Sequence, residues 1–251
     1  MKEYIEMIPV NDAFSSEDEC PFCYLERMAE RSTLRYIVGP GASYMEPDVR
    51  ASTTETGFCS HHMQALYNYG NTLGSALILQ SYYAKLLSQL QTQAEAFQLP
   101  PKRGLFTKKA APHPQDAYWQ QLQGQVDACF ICQRIEYHMQ RYFNTFFAML
   151  NEEEFRHKVE NCKGFCVPHF AKLMQAAPQQ VPNAQREWFY PAMLQLMEEH
   201  LIRVKEDLDW LIAKYDYRNA GADWKNSRDA LPRAMQKMQG IHPSDPPYQE
   251  K

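Results

Sequence analysis

The sequence lacks any long apolar stretch, and no segment approaches the roughly 18 consecutive apolar residues that a membrane-spanning helix needs. Its first residues also lack a positively charged region followed by an apolar one, which is the pattern of a secretory signal peptide. Basic residues are not in excess, since 26 Lys and Arg stand against 30 Asp and Glu and the formal net charge is −4. This balance disfavours a general binder of the phosphate backbone of nucleic acids. We therefore expect a cytoplasmic protein with no membrane span and no nucleic-acid partner.

A large β-sheet is also not indicated, because the chain shows no sustained alternation of apolar and polar residues. The 251 residues are 45% apolar and 22% charged, which is the composition of a globular protein. A chain of this length suffices for one large domain or two small ones, each with its own core. The fold class that we predict is mainly α.

Seven cysteines are the feature of the composition that carries most chemical information. An odd number of cysteines, in a chain without an export signal, does not suit a structural disulfide framework, because the cytosol keeps thiols reduced. Metal binding or redox chemistry is the use that remains.

Six of the seven cysteines fall in two copies of one pattern. CPFC at Cys20–Cys23 is followed by GFCSHH at Gly57–His62, and CFIC at Cys129–Cys132 is followed by GFCVPH at Gly164–His169. The two CxxC motifs lie 109 residues apart and the two GFC motifs 107 residues apart. Such nearly constant spacing indicates an internal duplication. Cys162 stands outside the pattern and is predicted to be a spare thiol.

Each copy supplies three cysteines and one histidine, which is a regular ligand set for zinc. Two sulfurs separated by two residues can bind one metal from a single turn, and a CxxH turn completes the tetrahedron. We therefore predict two zinc ions per chain, each held within one repeat. The ligands of the first site are Cys20, Cys23, Cys59 and His62, and those of the second are Cys129, Cys132, Cys166 and His169. An iron–sulfur cluster is the alternative, because soft thiolates suit both metals.

Helical periodicity accompanies these motifs. Apolar residues recur at steps of three and four after the second CxxC motif, which predicts that this motif begins an amphipathic helix. The same pattern predicts helices over 24–38 and 62–97 and a helix-packing seam over 197–215. Two bundled helical repeats are the expected architecture.

The repeats define the expected domain organisation. A segment rich in proline and in basic residues separates them, and it includes Lys102, Arg103, Lys108 and Lys109. We interpret it as a solvated linker, and we expect a short helix over 227–239 in the tail. The boundaries are 1–97 for the first repeat, 98–118 for the linker, 119–217 for the second repeat and 218–251 for the tail.

The four motifs, together with Asn71–Leu77 (NTLGSAL), resemble a bacterial family of unknown function whose members carry the same duplicated cysteine and histidine unit. The resemblance runs from about Asp18 to the tail. It implies that the eight positions named above are the ligands, and it implies no activity.

A fully coordinated Cys3His site leaves no open position for a catalytic water, so the sequence favours a non-enzymatic role. The function that we predict is a metal-stabilised helical scaffold or interaction protein with an unidentified protein partner. The alternative is a cytoplasmic thiol-redox or metal-sensing protein that uses the CxxC pairs. A thioredoxin-like site normally requires a βαβ context, which the sequence does not show.

Overall fold

A computed structural model of the chain describes residues 6–99 and 115–240. Eleven α-helices and no strand occur in these two ranges, so the predicted mainly α class is confirmed. In chain order the helices are α1 (Met7–Phe14), α2 (Pro21–Val38), α3 (Pro47–Thr56), α4 (Ser60–Tyr69), α5 (Thr72–Glu95), α6 (Asp116–Asp127), α7 (Phe130–Met149), α8 (Glu153–Asn161), α9 (Val167–Gln180), α10 (Arg186–Ala213) and α11 (Ala230–Gln239). The segments 1–5, 100–114 and 241–251 lie outside the description, and with them most of the predicted linker and the end of the predicted tail.

The helices α2–α5 and α7–α10 follow the same order. In both series a CxxC motif begins the first helix, a short helix follows, a CxxH motif begins the third helix, and a long helix comes last. The four motifs therefore lie at equivalent helix starts.

The chain divides into two compact units, and neither coincides with one sequence repeat. Within the described residues, unit 1 comprises 6–29 and 135–240, and unit 2 comprises 30–99 and 115–134. Both boundaries between the units fall inside helices, namely α2 and α7. Each unit thus takes residues from both repeats.

The core of unit 1 is rich in phenylalanine. The rings of Phe22 and Phe165 stack with their centroids 5.7 Å apart, and both side chains are fully buried. Phe22 belongs to the CPFC motif and Phe165 to the second GFC motif. Burial of such a side chain stabilises a fold by about 1.5–3 kcal/mol, so this contact helps to fix the two motifs beside each other.

The core of unit 2 is smaller and mostly aliphatic. Its fully or almost fully buried members come from α2, α4, α5 and α7, and they include Leu34, Ile37, Leu66, Ile78 and Ile131. Ile131 lies inside the CFIC motif, as Phe22 lies inside CPFC. In each unit a buried side chain within the CxxC motif therefore anchors the start of a helix.

The single helix predicted over 62–97 is wrong in one respect, because the chain breaks between α4 and α5. Gly70 ends α4 with a positive φ of 88°, a conformation that glycine adopts without steric cost. Asn71 then caps α5, since its side-chain oxygen accepts a hydrogen bond of 2.9 Å from the backbone N–H of Gly74. The Nδ2 of Asn71 also donates to the carbonyl of Val38 at 2.7 Å, which ties the break to α2.

The other helix predictions agree with the structure. The amphipathic helix after the second CxxC motif is α7, and most of the seam over 197–215 lies in α10. The tail helix is α11, which ends at Gly240 but begins later than Ser227. None of the described helices combines the length and the apolar character that crossing a membrane requires.

Candidate metal centres

Cluster 1 consists of Cys20, Cys23, Cys166 and His169, and all four side chains are buried. Cys20 precedes α2, and its carbonyl accepts the first hydrogen bond of that helix, from the N–H of Tyr24. Cys166 is the N-cap of α9, and its sulfur accepts a hydrogen bond from the backbone N–H of His169. The first turns of two helices thus meet in unit 1.

Cluster 2 consists of Cys59, His62, Cys129 and Cys132, and it is built in the same way in unit 2. Cys129 precedes α7, where its carbonyl accepts the first helical hydrogen bond, and Cys59 is the N-cap of α4. Cys132 and His62 occupy the third position of their helices. Each cluster therefore contains two cysteines that precede a helix, and one cysteine and one histidine at the third position of a helix.

Helix N-termini suit these residues electrostatically. The first amides of a helix have no carbonyl partner within it, and the helix dipole places a partial positive charge at this end. Both effects favour the thiolate form of a cysteine, which is the form that binds a metal. Two such termini converge on each cluster.

The donor atoms lie at short range within both clusters. In cluster 1 the sulfurs of Cys23 and Cys166 are 3.5 Å apart, and in cluster 2 those of Cys59 and Cys132 are 3.9 Å apart. His169 turns its Nδ1 atom to the cysteines of cluster 1, at 3.1–3.7 Å from the three sulfurs. The Nδ1 atom of His62 lies 3.2–3.3 Å from the three sulfurs of cluster 2. No disulfide joins any of the seven cysteines, all of which the structure describes.

The structure brings all eight predicted ligands together but corrects their grouping. We predicted that each site takes its CxxC and its CxxH from the same repeat. Instead, the CxxC of the first repeat meets the CxxH of the second in cluster 1, and the reverse holds in cluster 2. The division into compact units explains this, because the start of α2 packs with α9 in unit 1 and the start of α7 lies with α4 in unit 2.

Glycines shape the turn before each CxxH helix. Gly57 has φ of 72° and Gly164 has φ of 75°, values that a residue with a side chain rarely adopts. The carbonyl of Gly57 accepts a hydrogen bond of 3.0 Å from the N–H of Phe130. This bond ties the GFC turn directly to the start of α7 and so closes cluster 2.

Two carboxylates, which were not predicted from the sequence, contact the histidines at Nε2, the ring nitrogen that faces away from the sulfurs. The Oε1 atom of Glu30 lies 2.9 Å from Nε2 of His62, and the Oε2 atom of Glu26 lies 3.6 Å from Nε2 of His169. Carboxylates commonly hold the second nitrogen of a metal-binding histidine, which fixes the ring and its tautomer. His61 also contacts Glu30, at 3.1 Å.

The charges within the clusters shift several pKa values. Burial alone would raise the pKa of Cys129, but the hydrogen bonds from His62 and from the backbone at Cys132 and Cys59 together outweigh this and lower the pKa to about 6. Burial opposes the protonation of His62, yet hydrogen bonds with Cys129 and Glu30 raise its pKa to about 10. Hydrogen bonds from Cys20 and Cys23 lower the pKa of Cys166 to about 4. Without a metal, each cluster therefore already favours a thiolate.

Cys162 lies in neither cluster, in agreement with the sequence prediction. It is buried, and burial raises its pKa to about 12, so its thiol stays protonated at neutral pH. A buried protonated thiol behaves as a small apolar side chain.

Comparison with known proteins gives a family and no function. No curated protein and no solved structure matches the sequence. A match over residues 1–245 covers almost the whole chain, and the family concerned is described as a family of unknown function, DUF6062. The chain with its two Cys3His clusters belongs to this family.

Proposed function

We propose that the protein is a non-enzymatic helical scaffold that binds two zinc ions, one in each cluster. The observation that carries this proposal is the convergence of three cysteine sulfurs and one histidine Nδ1 atom, twice, within 4.8 Å of one another. Each ion would fasten the first turns of two helices from different repeats. Structural zinc sites of this type contribute on the order of 10 kcal/mol of apparent binding free energy at neutral pH.

The distances between donor atoms support a single tetrahedral ion. Bond lengths of about 2.3 Å for zinc–sulfur and 2.0–2.1 Å for zinc–nitrogen give tetrahedral edges of about 3.8 Å between sulfurs and about 3.6 Å between sulfur and nitrogen. The sulfurs of Cys23 and Cys166 are 3.5 Å apart, those of Cys59 and Cys132 are 3.9 Å apart, and the sulfur–nitrogen distances are 3.1–3.7 Å. A cluster of several irons needs at least some ligands farther apart, because the protein ligands are then divided among different irons.

The ligand set also supports a structural role over a catalytic one. Four protein donors complete the coordination of zinc and leave no position for an activated water or a substrate. Cluster 1 is in addition fully buried.

We also propose that the chain arose by internal duplication. The equal order of helices in α2–α5 and α7–α10, together with the placement of ligands at the N-cap and third positions in both, supports this proposal.

Metal analysis of the untagged full-length chain, purified in air, tests the proposed function. We expect colourless protein with about two zinc ions per chain and six fewer titratable thiols than the chelated protein exposes, because each cluster contains three cysteines. Brown protein that contains iron and sulfide would overturn the zinc assignment. Metal-free protein with readily titrated redox-active dithiols would favour the alternative, a thiol-redox protein.

A further inference from the structure

The two clusters differ in the exposure of one equivalent cysteine. Cys23 and Cys132 both occupy the third position of the helix that follows a CxxC start. Cys23 is only 1% exposed, whereas Cys132 is exposed to solvent. Cys59, whose sulfur lies 3.9 Å from that of Cys132, is half-buried.

Helix α11 accounts for the protection of cluster 1. This helix packs against α9 and α10, and its end brings Gly240 onto the sulfurs. A Cβ atom at Gly240 would lie 3.5 Å from the sulfurs of both Cys23 and Cys166. Buried Lys237, one turn earlier, donates hydrogen bonds to the carbonyls of Glu19 and Lys163, which locks α11 to both ligand loops.

We propose that Cys132 is an oxidation site, at which a hydroperoxide converts cluster 2 into a Cys59–Cys132 disulfide and releases its metal. This inference rests on the proposed binding of zinc. Reactivity of a cysteine toward peroxides requires a thiolate within reach of solvent, and a metal-bound cysteine is a thiolate. Cys132 would be a thiolate and is exposed to solvent, whereas the sulfurs of cluster 1 would be thiolates but are buried.

The reaction balances with one hydroperoxide per disulfide. The sulfur of Cys132 attacks one peroxide oxygen, the O–O bond breaks, and the sulfenic acid forms as hydroxide or alkoxide leaves. The sulfur of Cys59 then attacks the sulfenic sulfur, the S–S bond forms, and the S–O bond breaks with loss of hydroxide. Two sulfurs have supplied the two electrons that reduce the peroxide, and the leaving groups take up protons from water. Only Cys129 and His62 would then remain to hold a metal, two ligands short of a closed tetrahedral site.

Cys59 is the expected partner because it is the more accessible of the two remaining cysteines. Cys129, which directly precedes α7, is only 3% exposed. An attacking sulfur must approach the Cys132 sulfur from a free side, which the half-buried Cys59 can do at 3.9 Å.

The test treats the zinc-loaded full-length protein with hydrogen peroxide and follows released zinc with a chromogenic chelator. One zinc per chain should leave at least about tenfold faster than the other. Differential alkylation and tandem mass spectrometry of the first product should place the disulfide at Cys59 and Cys132. The matched control is Cys162→Ser, which removes a cysteine outside both clusters and should change neither the order of zinc release nor the position of the disulfide.

The outcomes separate this inference from the proposed function. Zinc content before oxidation reports on metal binding alone, and protein with fewer than two zinc ions counts against that function. If two ions are bound but leave at equal rates, or cluster 1 empties first, Cys132 is not the oxidation site. A disulfide between Cys129 and Cys132 would overturn the assignment of Cys59 as partner.

Discussion

The carboxylate of Glu30 holds the imidazole of His62, with 2.9 Å between Glu30 Oε1 and His62 Nε2. The opposite ring nitrogen of His62 faces the three sulfurs of cluster 2. A ring held in this way presents its free electron pair to a metal without first having to rotate, which is the usual effect of such a contact.

Substitution Glu30→Ala should weaken metal binding at cluster 2. The histidine loses the partner that fixes its orientation and tautomer, and losses of such partners cost about 10- to 100-fold in metal affinity. Competition with a chelator measures the affinity, in a Cys20→Ser/Cys166→Ser background that leaves only cluster 2 intact.

The matched control is Glu26→Ala, which removes the corresponding carboxylate from His169. The Glu26 side chain is 43% exposed, and its contact with His169 is 3.6 Å long. We therefore expect a smaller loss of affinity at cluster 1. Equal losses at the two clusters would show that the short contact of Glu30 has no special role.

Double substitutions distinguish the crossed grouping of ligands from grouping by repeat. Cys59→Ser/Cys129→Ser removes two ligands of one cluster and should leave about one zinc per chain. Cys20→Ser/Cys59→Ser removes one ligand from each cluster and should leave no tightly bound zinc. Zinc content per folded chain is the measurement, and the opposite result for the two variants would restore the grouping by repeat.

The metal-free protein should hold a thiolate at Cys129 at neutral pH. Burial raises the pKa of this thiol, but the hydrogen bonds from His62 and from the backbone at Cys132 and Cys59 together lower it from 9.0 to about 6. A lowered pKa in the folded state means that the thiolate stabilises the fold above pH 9.0, and that this contribution is lost as the pH falls through about 6.

Ultraviolet absorbance of thiolates during a pH titration checks this expectation. A step near pH 6 should vanish in Cys129→Ser. It should persist in Cys162→Ser, because burial raises the pKa of Cys162 to about 12 and its thiol contributes no absorbance in that range. A step that survives in Cys129→Ser must come from another group.

Asn71→Ala should destabilise unit 2 by about 1–2 kcal/mol, because it removes both the cap of α5 and the hydrogen bond to Val38. Denaturant unfolding of the zinc-loaded protein measures the change. Asn161→Ala serves as control, since the exposed Asn161 amide donates only to a carbonyl of its own helix, and its loss should cost less than about 0.5 kcal/mol. Equal effects would mean that the Asn71 cap contributes nothing specific.

The eight residues that form the two clusters could be predicted from the sequence, but their grouping could not. Grouping within a repeat and grouping across the repeats both join one CxxC with one CxxH, so the motifs alone do not distinguish them. Sequence separation is a weak guide, because the entropy of closing a loop grows only with the logarithm of its length. The free energy of loop closure is only about 1 kcal/mol less favourable when Cys23 is joined to Cys166 than when it is joined to Cys59. The packing of Phe22 against Phe165 outweighs such a difference.

Two further features left signals in the sequence. Glu26 and Glu30 follow Cys23 by three and seven residues, which places them on the same face of α2 as Cys23. The second repeat has the apolar residues Ile135 and Met139 at the equivalent positions. Gly70 followed by Asn71 is the usual sequence of a helix end and a new helix start. Which histidine each carboxylate meets depends on tertiary packing and left no signal.

The crossed ligand sets also constrain biosynthesis. Cys20, Cys23 and Cys59 emerge from the ribosome well before any of their cysteine partners in the second repeat. A nascent chain that ends before Cys129 therefore contains two incomplete half-sites and no complete one. Neither cluster can be complete until the second half of the protein has been translated, so the early thiols stay without their partner ligand atoms throughout that interval.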